Sequence, residues 1–245
     1  MRNIKLLISY DGCDFSGWQA QKDRRTVQET IEKALEKMHK KSVTLIGAGR
    51  TDSGVHALGQ TAHFHTDIKN MSADRFVPAL NGLLPQDIRV LHSEEADLDF
   101  HARFNAKSRT YRYQIICGRR AFPQELRYNL QLWRRPDIEL LNEYARFLRG
   151  EMDCSLFAAQ GDKSLSKHRY LFSAYFFIER DSLIFEITAN AFLWKMVRSI
   201  VGTLLFYEEK SLLPEDFKKI IAEKDRSLAG PTAPPQGLFL WKVVY

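Results

Sequence analysis

The chain has 245 residues, 36 Lys+Arg against 30 Asp+Glu, a formal net charge of +6 and 44% hydrophobic residues. That composition excludes a disordered chain, and the length suffices for one large domain or two small ones, burying roughly 70–75% of the unfolded surface. A membrane-spanning helix needs about 20 apolar residues. The apolar runs Leu204–Tyr207 and Ala174–Ile178 are far shorter, so no spanning segment is expected. The first residues alternate like a strand and run into Asp11 and Asp14, unlike a signal peptide. Cys13, Cys117 and Cys154 are odd in number and contain no CxxC pair. That disfavours a disulfide framework or a cysteine zinc site and fits a reducing cytoplasm.

The elements are predicted as follows. Ile4, Leu6 and Ile8 alternate within a strand over Asn3–Tyr10. A polar loop with Gly12 and Gly17 leads to a helix over Val27–Lys40, where Thr26 and Glu29 form a capping box and Val27, Ile31, Ala34, Leu35 and Met38 form one stripe. Ser42–Gly47 reads as a strand and Ala48–Gly59 as a loop. Gln60–Thr66 reads as a strand with Ala62 and Phe64 on one face and Thr61, His63 and His65 on the other. Ala73–Leu84 reads as a helix despite Pro78, and Asp87–Ser93 as a strand. This β-α-β-β-α-β order is the ferredoxin-like split arrangement.

The remainder reads as a decorated second copy. Ser108–Cys117 is a strand, and Asp137–Arg149 a helix between Pro136 and Gly150. His168–Glu179 and Leu183–Ala189 form a hairpin, Leu193–Tyr207 and Pro214–Glu223 are helices, and Gly237–Val244 closes as a strand. The expectation is therefore an α+β protein of two ferredoxin-like (RRM-like) halves, residues 1–105 and 106–245, with antiparallel sheets side by side around a cleft.

The positive charge is concentrated. Between His101 and Arg135 stand Arg103, Lys107, Arg109, Arg112, Arg119, Arg120, Arg127, Arg134 and Arg135, opposed only by Glu125. That segment carries +8 and leaves −2 for the rest, the distribution expected of a polyanion-binding surface. Aromatics interleave with it: Tyr111 and Tyr113 share one strand face, while Thr110 and Arg112 take the other. Bases stack on aromatic faces and Arg contacts phosphate. Strand tyrosines also serve as core, so one of the pair can be functional and the other structural.

The stretch Gly47–Gln60 holds four glycines around Asp52, a tight path that lets backbone approach a ligand. It lacks the Gly-Lys-Ser/Thr of a phosphate loop, and it leads into a strand rather than a helix, so it is no dinucleotide fingerprint. An Asp buried in a pocket stays ionised only if paired. Arg50 is one candidate partner, and Arg198, in the apolar stretch Met196–Ile200, is another. His63, His65 and nearby His56 leave open a metal-dependent hydrolase, although no further ligand cluster stands out and the deaminase signature is absent. A non-catalytic RNA-binding protein would keep the basic segment without needing Asp52.

The ordered strings Ser9-Tyr-Asp-Gly12, Gly17-Trp-Gln-Ala-Gln21 with Thr26-Val-Gln28, Gly49-Arg-Thr-Asp-Ser-Gly-Val-His-Ala57, Phe100-His-Ala-Arg103, Arg109-Thr-Tyr-Arg-Tyr113, Met196-Val-Arg-Ser-Ile-Val-Gly202 and Thr232-Ala-Pro-Pro-Gln-Gly-Leu238 cover nearly the whole chain. Together they resemble the TruA family of tRNA pseudouridine synthases. The resemblance implies the pseudouridine synthase fold around a basic cleft and isomerisation of uridine to pseudouridine at positions 38, 39 and 40 of the tRNA anticodon stem-loop. It implies a homodimer without cofactor, and the cysteine usage, short apolar runs and lack of a ligand cluster add the expectation of a cytoplasmic protein with no metal and no membrane attachment. It places the catalytic aspartate at Asp52, its arginine partner at Arg198 and a neighbouring motif arginine at Arg50. The functional tyrosine falls on Tyr111. Arg24 and Arg25 lie in an RNA-contacting loop, and Arg109 and Arg112 flank the tyrosine in the substrate-binding set.

Overall fold

The computed structural model describes all 245 residues. The chain divides into two compact units, one of Met1–Lys107 with Phe239–Tyr245 and one of Ser108–Leu238. Its folding is mixed α+β, with mostly antiparallel strand pairing in each unit. No helix is long and apolar enough to cross a membrane.

The first unit runs β1 (Arg2–Tyr10), α1 (Val27–His39), β2 (Ile46–Gly47), β3 (His56–Thr66), α2 (Phe76–Asn81) and β4 (Ile88–Ala96). Antiparallel pairing gives the order β4-β1-β3-β2, the ferredoxin-like order expected from the sequence. Alternation on β1 buries Ile4, Leu6 and Ile8 completely. The α1 stripe buries Val27, Ile31 and Leu35, and α2 adds Phe76 and Leu80. Each such side chain stabilises the unit by about 1.5–3 kcal/mol relative to exposure.

Several details differ from expectation, and β3 begins at His56, inside the stretch Ala48–Gly59 expected as loop. Thr26 and Glu29 form no capping box: Thr26 makes no side-chain cap bond. The preceding loop serves the first amides instead, with Val27 N–H donating to the Gly17 carbonyl (3.2 Å) and Gln28 N–H to that of Trp18 (3.0 Å). The helix expected over Ala73–Leu84 is a 3-10 turn at Ala73–Arg75 followed by the short α2, whose first turn accommodates Pro78. The strand expected from Ser42 is only Ile46–Gly47.

The second unit contains β5 (Ser108–Cys117), α3 (Pro123–Leu126), β6 (Leu130–Leu132), α4 (Ile138–Arg146), β7 (Gly150–Asp153), β8 (His168–Glu179), β9 (Ser182–Ala189), α5 (Met196–Glu209) and α6 (Pro214–Glu223). The order β5-β9-β8-β7 is antiparallel throughout, and β6 adds parallel to β5. One sheet face buries Tyr113, Ile115, Phe185 and Ile187, and the helices contribute Leu141, Tyr144, Ile200 and Leu204 to the core. Helix α4 ends three residues earlier than the expected Arg149, and Asp137 lies outside it as the cap, accepting the Glu139 and Leu140 amides. Helix α5 starts three residues later than expected, because Lys195 takes a left-handed conformation (φ 58°).

The closing strand, β10 (Leu238–Val244), departs from the expected division at residue 105. From Phe239 onward it belongs to the first unit, where Phe239 and Leu240 pair parallel with His56 and Ala57 of β3.

Candidate active site

In the first unit, Asp52 sits half-buried on the loop between β2 and β3, with Arg50 exposed two residues before it. The loop is fixed largely through backbone. Trp18 N–H donates to the Thr51 carbonyl (3.1 Å), Gly54 N–H to that of Phe15 (3.3 Å) and Val55 N–H to that of Asp52 (3.2 Å). The buried Tyr10 and Thr51 hydroxyls share a 2.8 Å hydrogen bond, and Gln60 Nε2 donates to the Gly49 carbonyl at 2.7 Å. Two glycines permit this closeness. A Cβ at Gly12 would stand 2.0 Å from the Val55 carbonyl oxygen. One at Gly17, where φ is +90°, would stand 2.6 Å from the Thr51 carbonyl oxygen and 3.1 Å from the Asp52 carbonyl carbon. The strings Ser9–Gly12 and Gly17–Gln21 are thus the frame of the Asp52 loop. Tyr10, Trp18 and Gln60 were missed as site residues by sequence pattern. All three lie in or beside motif strings, which is the signal that could have found them.

In the second unit, α5 carries Arg198 in its first turn. Its Nε donates to the Ala233 carbonyl (2.8 Å), and the Ala233 amide returns a bond to the Arg198 carbonyl (3.0 Å). The Thr232–Leu238 string therefore holds the arginine of the Met196–Gly202 string. The two tyrosines of β5 are both buried, Tyr111 at 8% exposure and Tyr113 at 0%, but they meet different partners. Tyr113 is fully buried and donates to the Pro234 carbonyl (2.8 Å), and burial pushes its phenol well above the ordinary range. It is structural. Tyr111 lies edge-on to Phe192, with ring centroids 5.1 Å apart at 87°.

The remaining arginines are already engaged, apart from Arg24. Arg109 is 9% exposed and donates to the Asn190 carbonyl at 2.7 Å. Arg112, on the sheet face opposite Tyr111, pairs with Glu186 (2.6 Å) and Glu179 (3.3 Å). Arg25 spans both oxygens of Asp87 (2.7 and 3.0 Å) and lies 4.0 Å from the Phe15 ring centroid. Arg24 is exposed on the same loop. The +8 of the basic segment is partly neutralised from outside its window, by Glu179, Glu186 and Glu208, the last pairing with Arg134 at 2.5 Å. Within the segment, Arg119 grips Glu125 with two bonds and holds its carboxyl down at about 2.

Of the three histidines that left a metal site open, His65 is exposed and His56 and His63 serve the backbone. His56 Nδ1 accepts the Gly12 amide (3.0 Å), and its ring stacks on Phe239 at 4.6 Å. Asp11, Cys13 and His56 bring one potential ligand atom each within 4.8 Å, but Asp11 Oδ1 already accepts the Cys13 amide. His63 Nδ1 accepts the Ala102 amide at 3.1 Å, which fixes the Phe100–Arg103 turn. Burial, with His101 and His65 nearby, lowers the His63 imidazole from 6.5 to about 4. The folded chain therefore refuses a proton that the unfolded chain accepts. Stability is complete above 6.5 and is lost as pH falls from 6.5 toward 4, by about 2 kcal/mol at pH 5. Urea titrations at pH 7.5 and 5 should show this loss, and His63→Gln, which keeps an acceptor but no titration, should remove about that much of it. An unchanged pH dependence in the variant would assign the loss to other groups.

Residues 6–105 and 144–245 match the family described as tRNA pseudouridine synthase. A tRNA pseudouridine synthase A of Treponema denticola is 57% identical over 249 aligned residues, covering 100% of this chain and 93% of the relative. One from Caldicellulosiruptor saccharolyticus is 43% identical over 255 aligned residues, covering 100% of both. A chain in the crystal structure of a Cbf5-Nop10-Gar1 complex aligns with 82% of this chain and 53% of its own length, at 11% identity and a TM-score of 0.33, too low to bear on fold or function. The motif strings that interlock around Asp52 in one unit and around Arg198 in the other thus occur in a chain alignable end to end with tRNA pseudouridine synthases, and the chain belongs to the TruA family of these enzymes.

Proposed function

We propose that this tRNA pseudouridine synthase acts on uridines 38, 39 and 40 of the anticodon stem-loop, with Asp52 as the catalytic carboxylate on a flipped-out uridine. The observation that carries the assignment is the loop: the Ser9–Gly12 and Gly17–Gln21 strings brace the backbone around Asp52, and Thr26–Gln28 in turn holds Gly17 and Trp18. A loop backbone held so firmly suits chemistry that needs a fixed group.

The reaction breaks the N1–C1′ bond, turns the uracil and joins C5 to C1′. The C5 proton leaves and N1 gains one, so the change is redox-neutral and calls for no cofactor. Extruding the base costs a few kcal/mol of stacking. In this reading Asp52 acts as nucleophile or as base. Arg198, oriented by the Ala233 carbonyl, balances its charge. Arg50 positions the nucleotide, and Tyr111 stacks on the uracil. Arg24 and Arg25 contact the RNA backbone, while Arg109 and Arg112 brace the strand that carries Tyr111. A cytoplasmic homodimer, about twice 28.4 kDa, belongs to the same proposal, and sedimentation tests the mass.

The substrate assignment is tested with an unmodified tRNA transcript carrying uridine at 38, 39 and 40 and labelled with tritium at C5. Purified protein should release tritium, and sequencing after carbodiimide treatment should place pseudouridine only at those positions. Modification confined to another arm of the tRNA would overturn the site while leaving the family intact.

A further inference from the structure

Trp194 has an unusual setting. Its neighbours Leu193 and Met196 are buried at 4% and 1% exposure, yet Trp194 is 47% exposed. Tryptophan gains most from burial, so an exposed ring on an ordered segment is informative. The segment is held from both sides. Trp194 N–H donates to Asp162 Oδ2 (2.8 Å), and its carbonyl accepts the Ala159 amide (3.1 Å). Asp162 is held in turn by the Lys167 ammonium and the Ser164 amide. The indole is therefore presented from a fixed backbone.

Two further observations point to a nucleotide. Lys195, in its left-handed conformation, places its ammonium 4.8 Å from the Trp194 ring centroid, so a flat apolar face and a cation stand together. Beside them, Gln160, Gly161, Arg226 and the Asp162–Lys167 ion pair help to line a cavity of about 520 Å³, a volume that takes a sugar and phosphate. The position within the unit is also specific. Two residues before Trp194, Phe192 packs edge-on against Tyr111, and four residues after it comes Arg198.

We propose that Trp194 stacks a base of the tRNA that flanks the target uridine, and that Lys195 contacts a phosphate of that strand. The proposal rests on the reading of Tyr111 and Arg198 given above and adds a binding residue to it. Stacking is tolerant of sequence and strengthens binding without entering the chemistry. Trp194 is then a determinant of KM, not of kcat.

The test compares Trp194→Phe with Trp194→Leu on the full-length chain, using the tritium-labelled transcript. Both keep apolar bulk, but only phenylalanine offers an aromatic face. Trp194→Leu should raise KM about tenfold with kcat within about twofold, and Trp194→Phe should stay within about threefold of the parent. Equal KM values for the two variants, or a loss confined to kcat, would overturn the stacking role. Lys195→Asn, which tolerates the left-handed backbone, should lower the slope of log Kd against log salt by about 0.7–1. An unchanged slope would remove Lys195 from the interface. Absence of tritium release from the parent enzyme would instead sink the substrate assignment, and the fluorescence-measured Kd of the same variants for tRNA would still decide the role of Trp194.

Discussion

Asp52→Asn should abolish pseudouridine formation while leaving the fold and tRNA binding nearly intact. The substitution keeps shape and polarity and removes only the negative charge and the basicity. The backbone bonds of the loop run through the carbonyls of Phe15, Thr51 and Asp52 and the amides of Trp18, Gly54 and Val55, and these survive together with the Tyr10–Thr51 and Gln60–Gly49 bonds. The Gly12 and Gly17 contacts also lie on backbone atoms. Stability should therefore change by less than about 1 kcal/mol. An amide neither attacks a sugar or pyrimidine carbon nor takes a proton at neutral pH, so turnover should fall by about 10⁴-fold or more, the scale seen when a reacting side chain is removed. Tritium release from C5 measures this directly. Release at a tenth of the parent rate or above, from protein with unchanged Tm, would show that the carboxylate does not carry the reaction.

Elements set by local pattern were legible in the sequence. Strand β5 runs from Ser108 to Cys117, as its Tyr and Ile alternation requires, and the β8–β9 hairpin turns at Arg180, which has φ 56°. Features set by tertiary context were not. The three-residue β6 and four-residue β7 are too short to carry a period and exist through their partners β5 and β8. Thr26 had the chemistry of a cap, but the carbonyls of Gly17 and Trp18 reached the helix first. A capping motif states what a side chain can do, and the folded loop decides whether it is needed.

The site shows the same division. Asp52, Arg198 and Tyr111 stood out because they sit in dense motif strings. The sequence could not say why those strings are needed, because their partners lie far along the chain: Gly12 meets Val55, and Arg198 meets Ala233. Charge was legible only as a count. Arg112 and Arg134 counted toward a polyanion surface, but each meets a glutamate more than 65 residues away. A window of sequence sees the cations and misses the acids that fold against them.

Gly202→Ala should destabilise the chain by about 3 kcal/mol or more, against the usual preference for alanine in a helix interior. Gly202 lies within α5, and residues 231–233 run so close to it that a Cβ would stand 1.8 Å from the Pro231 carbonyl oxygen and 3.0 Å from the Ala233 amide nitrogen. Both are backbone atoms, so no rotamer change relieves the clash, and the helix must part from the segment. That segment supplies the Ala233 carbonyl that holds Arg198, so the same displacement should also lower turnover. Gly82→Ala is the control: it sits at the end of α2, and its nearest contact, the Pro78 carbonyl oxygen, is at 3.4 Å, so stability should change little. For a chain of this size the Gly202 variant should lose about 6–12 °C in Tm. Arg198→Met separates the two effects, because it should cost turnover with far less loss of Tm. If Gly202→Ala melts with the parent and turns over normally, residues 231–233 yield freely, and the Ala233 carbonyl is not what positions the arginine.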